Sequence, residues 1–224
     1  MTFSVVARCA ETGMFGIAVS SSSPAVAARC AYARAGVGAV ASQNITDPIL
    51  GPRGLDLMAE GASAEEVVET LRATGRHIEY RQILAIDVAG RTAVFSGAEC
   101  LGLWAEARDD DVACAGNLLA NDEVPPAMVA AFHESTGPLG DRLITVLRAA
   151  VSAGGEAGPV HSAGLKLVRE VPWPVADLRV DWSDDCPVEA LAALWQRYQP
   201  QLEDYVRRAL DPAAAPSYGV PGDR

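Results

Sequence analysis

The first twenty residues predict a β-hairpin, and this unit restricts the folds that the chain can adopt. Residues 2–8 follow the two-residue period of a strand, with Phe3 and Val5 on one face and Thr2 and Ser4 on the other. A Glu-Thr-Gly turn signal follows, and a second strand is expected from Phe15 to Ser20. Because hairpin strands are antiparallel neighbours, we expect an antiparallel sheet here.

The rest of the chain alternates between strands and helices that arrive mostly in pairs. The alanine-rich residues 25–35 are expected to form a short helix or a close-packed segment, and helices are expected over residues 52–60, 63–72, 124–135, 138–152 and 187–210. The expected strands cover residues 36–43, 83–87, 92–96, 112–117, 162–170 and 178–182. Hairpins imply antiparallel sheets, and paired helices imply layers on the outer faces. We therefore predict an α+β fold with two stacked antiparallel sheets and helices outside them.

Length and charge limit the class of protein. With 224 residues, half of them apolar, residues 1–210 are expected to form a single domain with a sizeable core, followed by a loose Pro/Ala/Gly-rich tail at 211–224. The net charge of −11 argues against nucleic acid or an anionic membrane as a partner. The sequence lacks both a signal-peptide pattern and an apolar run of about 18 residues, so we expect a cytoplasmic protein without a membrane span.

The sequence gives little support to a metal site. Five scattered cysteines without a CxxC pair indicate reduced thiols and no zinc framework. The acidic run at residues 109–111 is either a solvated turn or, less in keeping with its surroundings, part of a metal site for which no matching ligands are visible.

Thr2 directly follows the initiator methionine and begins the first predicted strand. Removal of Met1 would leave a hydroxyl and a free α-amino group on one residue, which together supply a nucleophile and its base. An α-amine with a pKa of roughly 7.7–8.0 is partly neutral near pH 7. The alternative is that Met-Thr has no chemical role, because small residues are common at the second position. A retained methionine would also block the amine.

A run of four serines ends the second predicted strand, immediately before Pro24. These residues either supply hydroxyl groups to a site beside Thr2 or form a polar loop that caps the next helix. Gln43, at the exit of a buried strand, is a further polar side chain at a strand end, where binding residues are often found.

Five segments together resemble the DUF1028 family, a bacterial and archaeal group of unassigned function. They are residues 1–7, 33–43, 51–55, 79–82 and 115–119, in the order found in the family. The family is similar to the N-terminal-nucleophile (Ntn) hydrolases, which cleave amide bonds with the first residue of the mature chain. The resemblance implies a four-layer αββα sandwich, with Thr2 as nucleophile. It also implies candidate residues that orient substrate or nucleophile, namely Gln43, Arg53, Tyr80, Arg81, Gln82, Gly116, Asn117 and Ser162.

These candidates have roles that the resemblance leaves open. Asn117, after Gly116 at a strand end, is the best donor for an oxyanion, or else it supports a turn. Arg53 either clamps a substrate carboxylate or caps a helix start. Arg81 either binds substrate or pairs with a neighbouring acid such as Glu79.

Three hypotheses about function follow. The first is a cofactor-free amidohydrolase acting on a small molecule, with the base built into the chain. The second is a non-catalytic binding or scaffold protein that retains Met1. The third is ring opening or closing of a cyclic amide without a covalent step. In each case we expect a homodimer, since the apolar content is high.

Overall fold

The computed structural model describes residues 2–222 and contains two antiparallel sheets. The six strands of the first sheet are, in order across it, β10 (Ala176–Val180), β9 (Ser162–Val168), β2 (Phe15–Ser21), β1 (Thr2–Arg8), β8 (Val112–Asn117) and β7 (Ala105–Asp109). The four strands of the second are β3 (Ala31–Arg34), β4 (Gly38–Asn44), β5 (Arg81–Asp87) and β6 (Thr92–Ser96). Every neighbouring pair is antiparallel.

Helices cover the outer faces of both sheets. They are α2 (Leu50–Ala59), α3 (Ala64–Thr74), α4 (Val124–Glu134), α5 (Leu139–Ser152), α6 (Pro187–Tyr198) and α7 (Leu202–Leu210). The single turn α1 (Ala27–Cys30) instead packs on the face of β2 that is turned toward the second sheet, against Val19. The second sheet packs against α2 and α3, and the first packs against α4, α5 and α6. The α+β fold with two stacked sheets and outer helices is therefore confirmed, as a four-layer αββα sandwich.

The alternation within β1 divides its side chains between two apolar layers. Phe3, Val5 and Ala7 pack toward α5 in the layer between the first sheet and its helices. Val6 points the other way, into the layer between the two sheets, where it packs with residues such as Ile17. This outcome follows from the strand period, because successive side chains leave a strand on opposite faces.

The start of α3 is determined locally. Ser63 Oγ accepts the backbone N–H of Glu66 at 3.2 Å, and the Glu66 carboxylate accepts the N–H of Ser63 at 2.8 Å. The spacing of Ser63 and Glu66 in the sequence predicts a capping box, and both of its hydrogen bonds are present; such a cap typically contributes about 1 kcal/mol.

Three sequence predictions about elements were wrong. Of the short helix or close-packed segment expected over residues 25–35, only α1 is helical, and the unforeseen strand β3 follows it, because pairing with β4 outweighs the helix propensity of the alanines. The strand β7 was missed, since this edge strand consists of alanines and charged residues and contains none of the β-branched or aromatic residues typical of strands. The helix expected over 187–210 is divided into α6 and α7 by a 3₁₀ turn at Gln199–Gln201, where Pro200 cannot donate a helical hydrogen bond.

Residues 211–222 form turns and bends after α7, while residues 1, 223 and 224 of the predicted domain and tail lie outside the described part. Within residues 2–222, no helix has both the length and the apolar character needed to cross a bilayer.

Candidate functional site

One end of the layer between the sheets is polar. Four strands turn apolar side chains into this layer along most of their length, but each ends in polar residues on the same face. These residues are Thr2 and Ser4 of β1, Gln43 of β4, Gln82 of β5 and Asn117 of β8. All five are buried, with Thr2 4% exposed and the others fully enclosed. We call these five residues the polar end. Burying this many polar groups costs free energy unless they are hydrogen-bonded to one another.

Two glutamines link the sheets at the polar end. Ser4 Oγ donates to Gln43 Oε1 at 2.6 Å, and Gln43 Nε2 donates to Gln82 Oε1 at 2.7 Å. Gln43 Nε2 also donates to the carbonyl of Ala115 at 3.2 Å, and Gln82 Nε2 donates to the carbonyl of Gly116 at 3.1 Å. Backbone carbonyls only accept, so both amide groups have a single orientation.

That orientation extends to Asn117. Because Gln82 presents Oε1 to it, Asn117 must answer with its Nδ2, and the two atoms are 3.3 Å apart. The Asn117 Oδ1 atom is buried and has no hydrogen-bond partner among residues 2–222. Asn117 is also the register partner of Thr2 across β8 and β1. The amide that the sequence suggests as an oxyanion donor is therefore engaged with Gln82, while an acceptor oxygen beside Thr2 is available.

Serine hydroxyls flank Thr2 on its other side. Thr2 Oγ1 donates to Ser21 Oγ at 3.3 Å, and Ser21 Oγ lies 2.8 Å from Ser23 Oγ. Residue 26 precedes α1 without a side-chain cap. Of the two interpretations of the serine run, the structure matches the one in which hydroxyl groups lie beside Thr2.

Ser162 fixes the loop that carries those serines. Its hydroxyl donates to the carbonyl of Ser23 at 2.6 Å and accepts the N–H of Val26 at 3.2 Å, while its carbonyl accepts from Ser20 Oγ at 3.0 Å. Ser162 is fully buried. Ser162 therefore contacts the segment that carries the serines, residues 20–26, which we call the serine loop. Its hydrogen bonds hold this loop beside Thr2.

Three further candidates lie outside the hydrogen-bonded network of the polar end. Arg53 is exposed on α2. Tyr80 is 41% exposed in a 3₁₀ turn before β5, and the Arg81 guanidinium donates to the carbonyl of Ile45. The fold therefore gathers Thr2, Gln43, Gln82, Gly116 and Asn117, but it leaves these three at the periphery.

Glu156 is a buried carboxylate that the sequence analysis missed. It is 5% exposed, both carboxylate oxygens accept the backbone N–H of Ser22, at 3.2 and 3.3 Å, and its backbone forms a bridge with Leu119, two residues after Asn117. Burial raises the pKa of the Glu156 carboxyl to about 7, although the Ser22 N–H opposes the shift. A lone glutamate in a glycine-rich loop gives no sequence signal for such burial.

Two cavities lie near the ends of β1. One of about 270 Å³ is lined by Glu156 and by Phe3 near the polar end. A larger one of about 680 Å³ lies at the opposite end of the strand, beside Cys9 and Arg142. Thr2 lines neither. Within residues 2–222 no group of three or more His, Cys, Asp or Glu side chains is arranged to hold a metal ion.

Comparisons with known proteins place the chain in a family. The structure of SPO2555 from Silicibacter pomeroyi, a DUF1028 protein, has a TM-score of 0.85 and 28% sequence identity to this chain, over 92% of this chain and 94% of that one. Anbu, an ancestral beta-subunit from Yersinia bercovieri, has a TM-score of 0.39 and 12% identity over 91% and 97% of the two chains, which is too weak to support a conclusion. No curated protein matches. Residues 2–191 match DUF1028, a family of unknown function, and the chain therefore belongs to this family.

Proposed function

We propose that the protein is an N-terminal-nucleophile amidohydrolase that cleaves an amide or related C–N bond of a small molecule, with Thr2 as nucleophile. The observation that carries the proposal is the position of Thr2. Its hydroxyl lies at the polar end of the layer between the sheets, among buried hydroxyl and amide groups rather than apolar side chains. A buried network of this kind contributes little net stability, so a chemical role explains why it is there.

The reaction needs Met1 to be removed, and Met1 lies outside the described residues. The freed α-amine then accepts the proton of the Thr2 hydroxyl while Oγ1 attacks the carbonyl carbon, whose π electrons move onto oxygen. Collapse of the tetrahedral intermediate expels the leaving amine, which takes the proton from the α-ammonium group. Water, activated by the same amine, hydrolyses the ester and restores the Thr2 hydroxyl. No metal or cofactor enters these steps.

Asn117 has two groups to offer this chemistry. Its Oδ1 can accept a hydrogen bond from the α-ammonium group that forms during attack, since Thr2 is its register partner. Its Nδ2 can reach an oxyanion only by giving up the 3.3 Å hydrogen bond to Gln82. Support for a substrate carboxylate is weaker, because Arg53 and Arg81 lie outside the network.

A second candidate function is a non-catalytic binding or scaffold protein that retains Met1. Thr2 is 4% exposed and lines neither cavity, so a substrate has no open path to its hydroxyl in this structure, and this favours the alternative. The mass of the intact protein purified from its own host separates the two, because retention of Met1 removes the base that the enzyme requires.

The direct test is acetylation of Thr2 by para-nitrophenyl acetate, an activated ester that reports an acyl-enzyme through release of nitrophenolate. Protein with Met1 removed should show a burst, and peptide mapping should locate the acetyl group on residue 2. Thr2→Ala should abolish this burst, while Thr2→Ser should retain it. Thr2→Ala is also the blank for the five cysteines, which react with the same ester. Acetylation of Met1-free wild-type protein that is no faster than this Thr2→Ala blank would refute Thr2 as the nucleophile.

The proposal includes a small-molecule substrate, a cytoplasmic location and a homodimer. A panel of N-acyl and cyclic amide metabolites, assayed with Met1-free protein, tests the substrate class and also detects ring opening of a cyclic amide. Analytical ultracentrifugation tests the dimer, and a single species with the mass of one 23.4 kDa chain would contradict it.

A further inference from the structure

A chain of hydrogen bonds connects Arg29 to the hydroxyl of Thr2. Arg29 Nη2 donates to Ser23 Oγ at 2.5 Å, Ser23 Oγ lies 2.8 Å from Ser21 Oγ, and Ser21 Oγ lies 3.3 Å from Thr2 Oγ1. The backbone N–H of Ser23 also donates to Ser21 Oγ, at 3.1 Å. The route runs from the last turn of α1, through the loop after β2, to the first residue of β1.

Only one end of this chain has a fixed direction. A guanidinium group has donors and no acceptor, so Ser23 Oγ must accept from Arg29. Either oxygen of the Ser21–Ser23 pair can be the donor, and hydroxyl groups rotate to suit their partners. Thr2 donates to Ser21 while its hydroxyl keeps its proton. Once Thr2 loses that proton, every bond can point the same way, from Arg29 through Ser23 and Ser21 to Thr2 Oγ1.

The charge of Arg29 is available to act along this route. The ion pairs within residues 2–222 do not include Arg29. Its Nη1 atom donates to the carbonyls of Pro24 and Ala25, at 2.6 and 3.1 Å, and these contacts hold the guanidinium against the loop. A partly buried positive charge without a carboxylate partner favours negative charge at the other end of a hydrogen-bonded chain.

We propose that Arg29 is a positioning residue for Thr2, which acts through Ser23 and Ser21 to stabilise the Thr2 oxygen as it loses its proton. This inference rests on the proposed function. No proton passes along the chain. The two serine hydroxyls reorient, Ser21 changes from acceptor to donor toward Thr2, and the Thr2 proton goes to the α-amine. The arrangement would make attack faster without any contact between Arg29 and the substrate.

The test measures the rate of Thr2-dependent acetylation by para-nitrophenyl acetate against pH, with the Thr2→Ala blank subtracted. Ser23→Ala removes one oxygen from the chain and keeps the contacts of Arg29 to the carbonyls, so it should slow acetylation by about tenfold with an unchanged pH midpoint. Arg29→Gln should slow it by a similar factor. It should also move the midpoint to higher pH, because losing a nearby positive charge makes protonation of the α-amine easier.

Matched variants separate this role from a structural one. Arg29→Lys retains the charge and should restore the pH midpoint and part of the rate. Arg142→Gln is the control, since Arg142 also donates to a serine hydroxyl and a backbone carbonyl, at Ser135 and Phe132, but at the other end of β1. It should acetylate at the wild-type rate. Glu156, a titratable group that accepts from the serine loop, is present in every variant, so its own titration affects all of the pH profiles alike.

The outcomes are distinguishable. If wild-type protein is acetylated on Thr2 and both Ser23→Ala and Arg29→Gln match its rate and midpoint, the role of Arg29 is refuted and the proposed function survives. If Met1-free wild-type protein is not acetylated on Thr2, the proposed function is refuted and this inference with it. If Arg29→Gln fails to fold, urea unfolding will show it, and Ser23→Ala then decides.

Discussion

The two ends of the layer between the sheets use the same strands and opposite kinds of side chain. On β5, Leu84 and Ile86 fill the apolar end, while Gln82, on the same face, belongs to the polar end. On β1, Val6 and Ser4 differ in the same way. Apolar burial stabilises by roughly 25 cal/mol per Å², whereas a buried hydrogen bond typically contributes only about 0.5–1.5 kcal/mol after desolvation. On this comparison the apolar end is the main source of stability, and the polar end is where we propose that the chemistry takes place.

Two buried carboxylates show the same contrast. Asp87 ends β5 away from Gln82, and it accepts from the Arg91 guanidinium at 2.8 Å and from backbone N–H groups including that of Ala64 at 3.0 Å. Glu156 lies near the polar end with the N–H of Ser22 as its protein donor. Asp87 therefore has the partners that a structural charge requires, and Glu156 is much less well compensated.

The largest effect is expected at the apolar end. Leu84 is fully buried, and Leu84→Ala should reduce the free energy of unfolding by about 2–5 kcal/mol through lost burial and a residual cavity. Leu84→Met conserves volume and should cost less than about 1.5 kcal/mol. Urea unfolding measures both. The acetylation rate of Thr2, measured on the folded fraction, should stay at the wild-type value, and a large loss would break the separation between the two ends.

Glu156→Gln should have a pH-dependent effect on stability. The folded pKa of about 7 lies above the value of about 4.3 in an unfolded chain, so the folded state binds the proton more tightly. Wild-type protein therefore loses stability as pH rises from about 4.3 to about 7, by up to about 3–4 kcal/mol. The neutral glutamine avoids this loss.

Urea unfolding at pH 5 and pH 8 measures the difference. Glu156→Gln should be more stable than wild type by up to about 3–4 kcal/mol at pH 8, and the advantage should fall to about 1 kcal/mol at pH 5. Asp87→Asn is the matched control, and it should be destabilising at pH 8 by about 1–3 kcal/mol, because Asp87 loses charge-assisted partners. Equal behaviour of the two variants would contradict the contrast between the carboxylates.

The smallest effect is expected from the paired glutamines. Gln82→Leu removes one of the two acceptors of Gln43 Nε2 and the side-chain donor to the carbonyl of Gly116, and it should cost about 1–3 kcal/mol. Gln43→Leu should cost a similar amount. The double variant should cost less than the sum of the two, because it removes both members of the 2.7 Å hydrogen bond together.

Thr2 acetylation sharpens this last prediction. Loss of Gln82 also frees the Asn117 amide, so Gln82→Leu should change the acetylation rate. The double variant should show a changed rate as well, even though its stability is nearly restored. If the stability losses of Gln43→Leu and Gln82→Leu simply add in the double variant, the two glutamines are not coupled. If the acetylation rate of Thr2 is also unchanged, they have no role in the chemistry.

The sequence by itself determined most of the regular structure. The strand period of residues 2–8, the turn before Phe15 and the capping box at Ser63 depend on contacts within a few residues, and such contacts are visible in a linear chain. The order of strands and helices then limited the possible arrangement of layers to stacked antiparallel sheets with helices outside them. The polar residues Gln82 and Asn117 were identified through the resemblance to DUF1028, whereas Gln43 was also indicated by its position at the exit of a predicted strand.

The tertiary structure alone decided which polar groups meet. Gln43 donates to Gln82, 39 residues later in the chain, and Glu156 is buried against Ser22, 134 residues earlier. The strand β3 formed where alanines favour a helix, because β4 offered its backbone groups. These outcomes depend on contacts between segments far apart in sequence. Burial, desolvation and pairing energies are properties of such contacts, and no local pattern of residues encodes them.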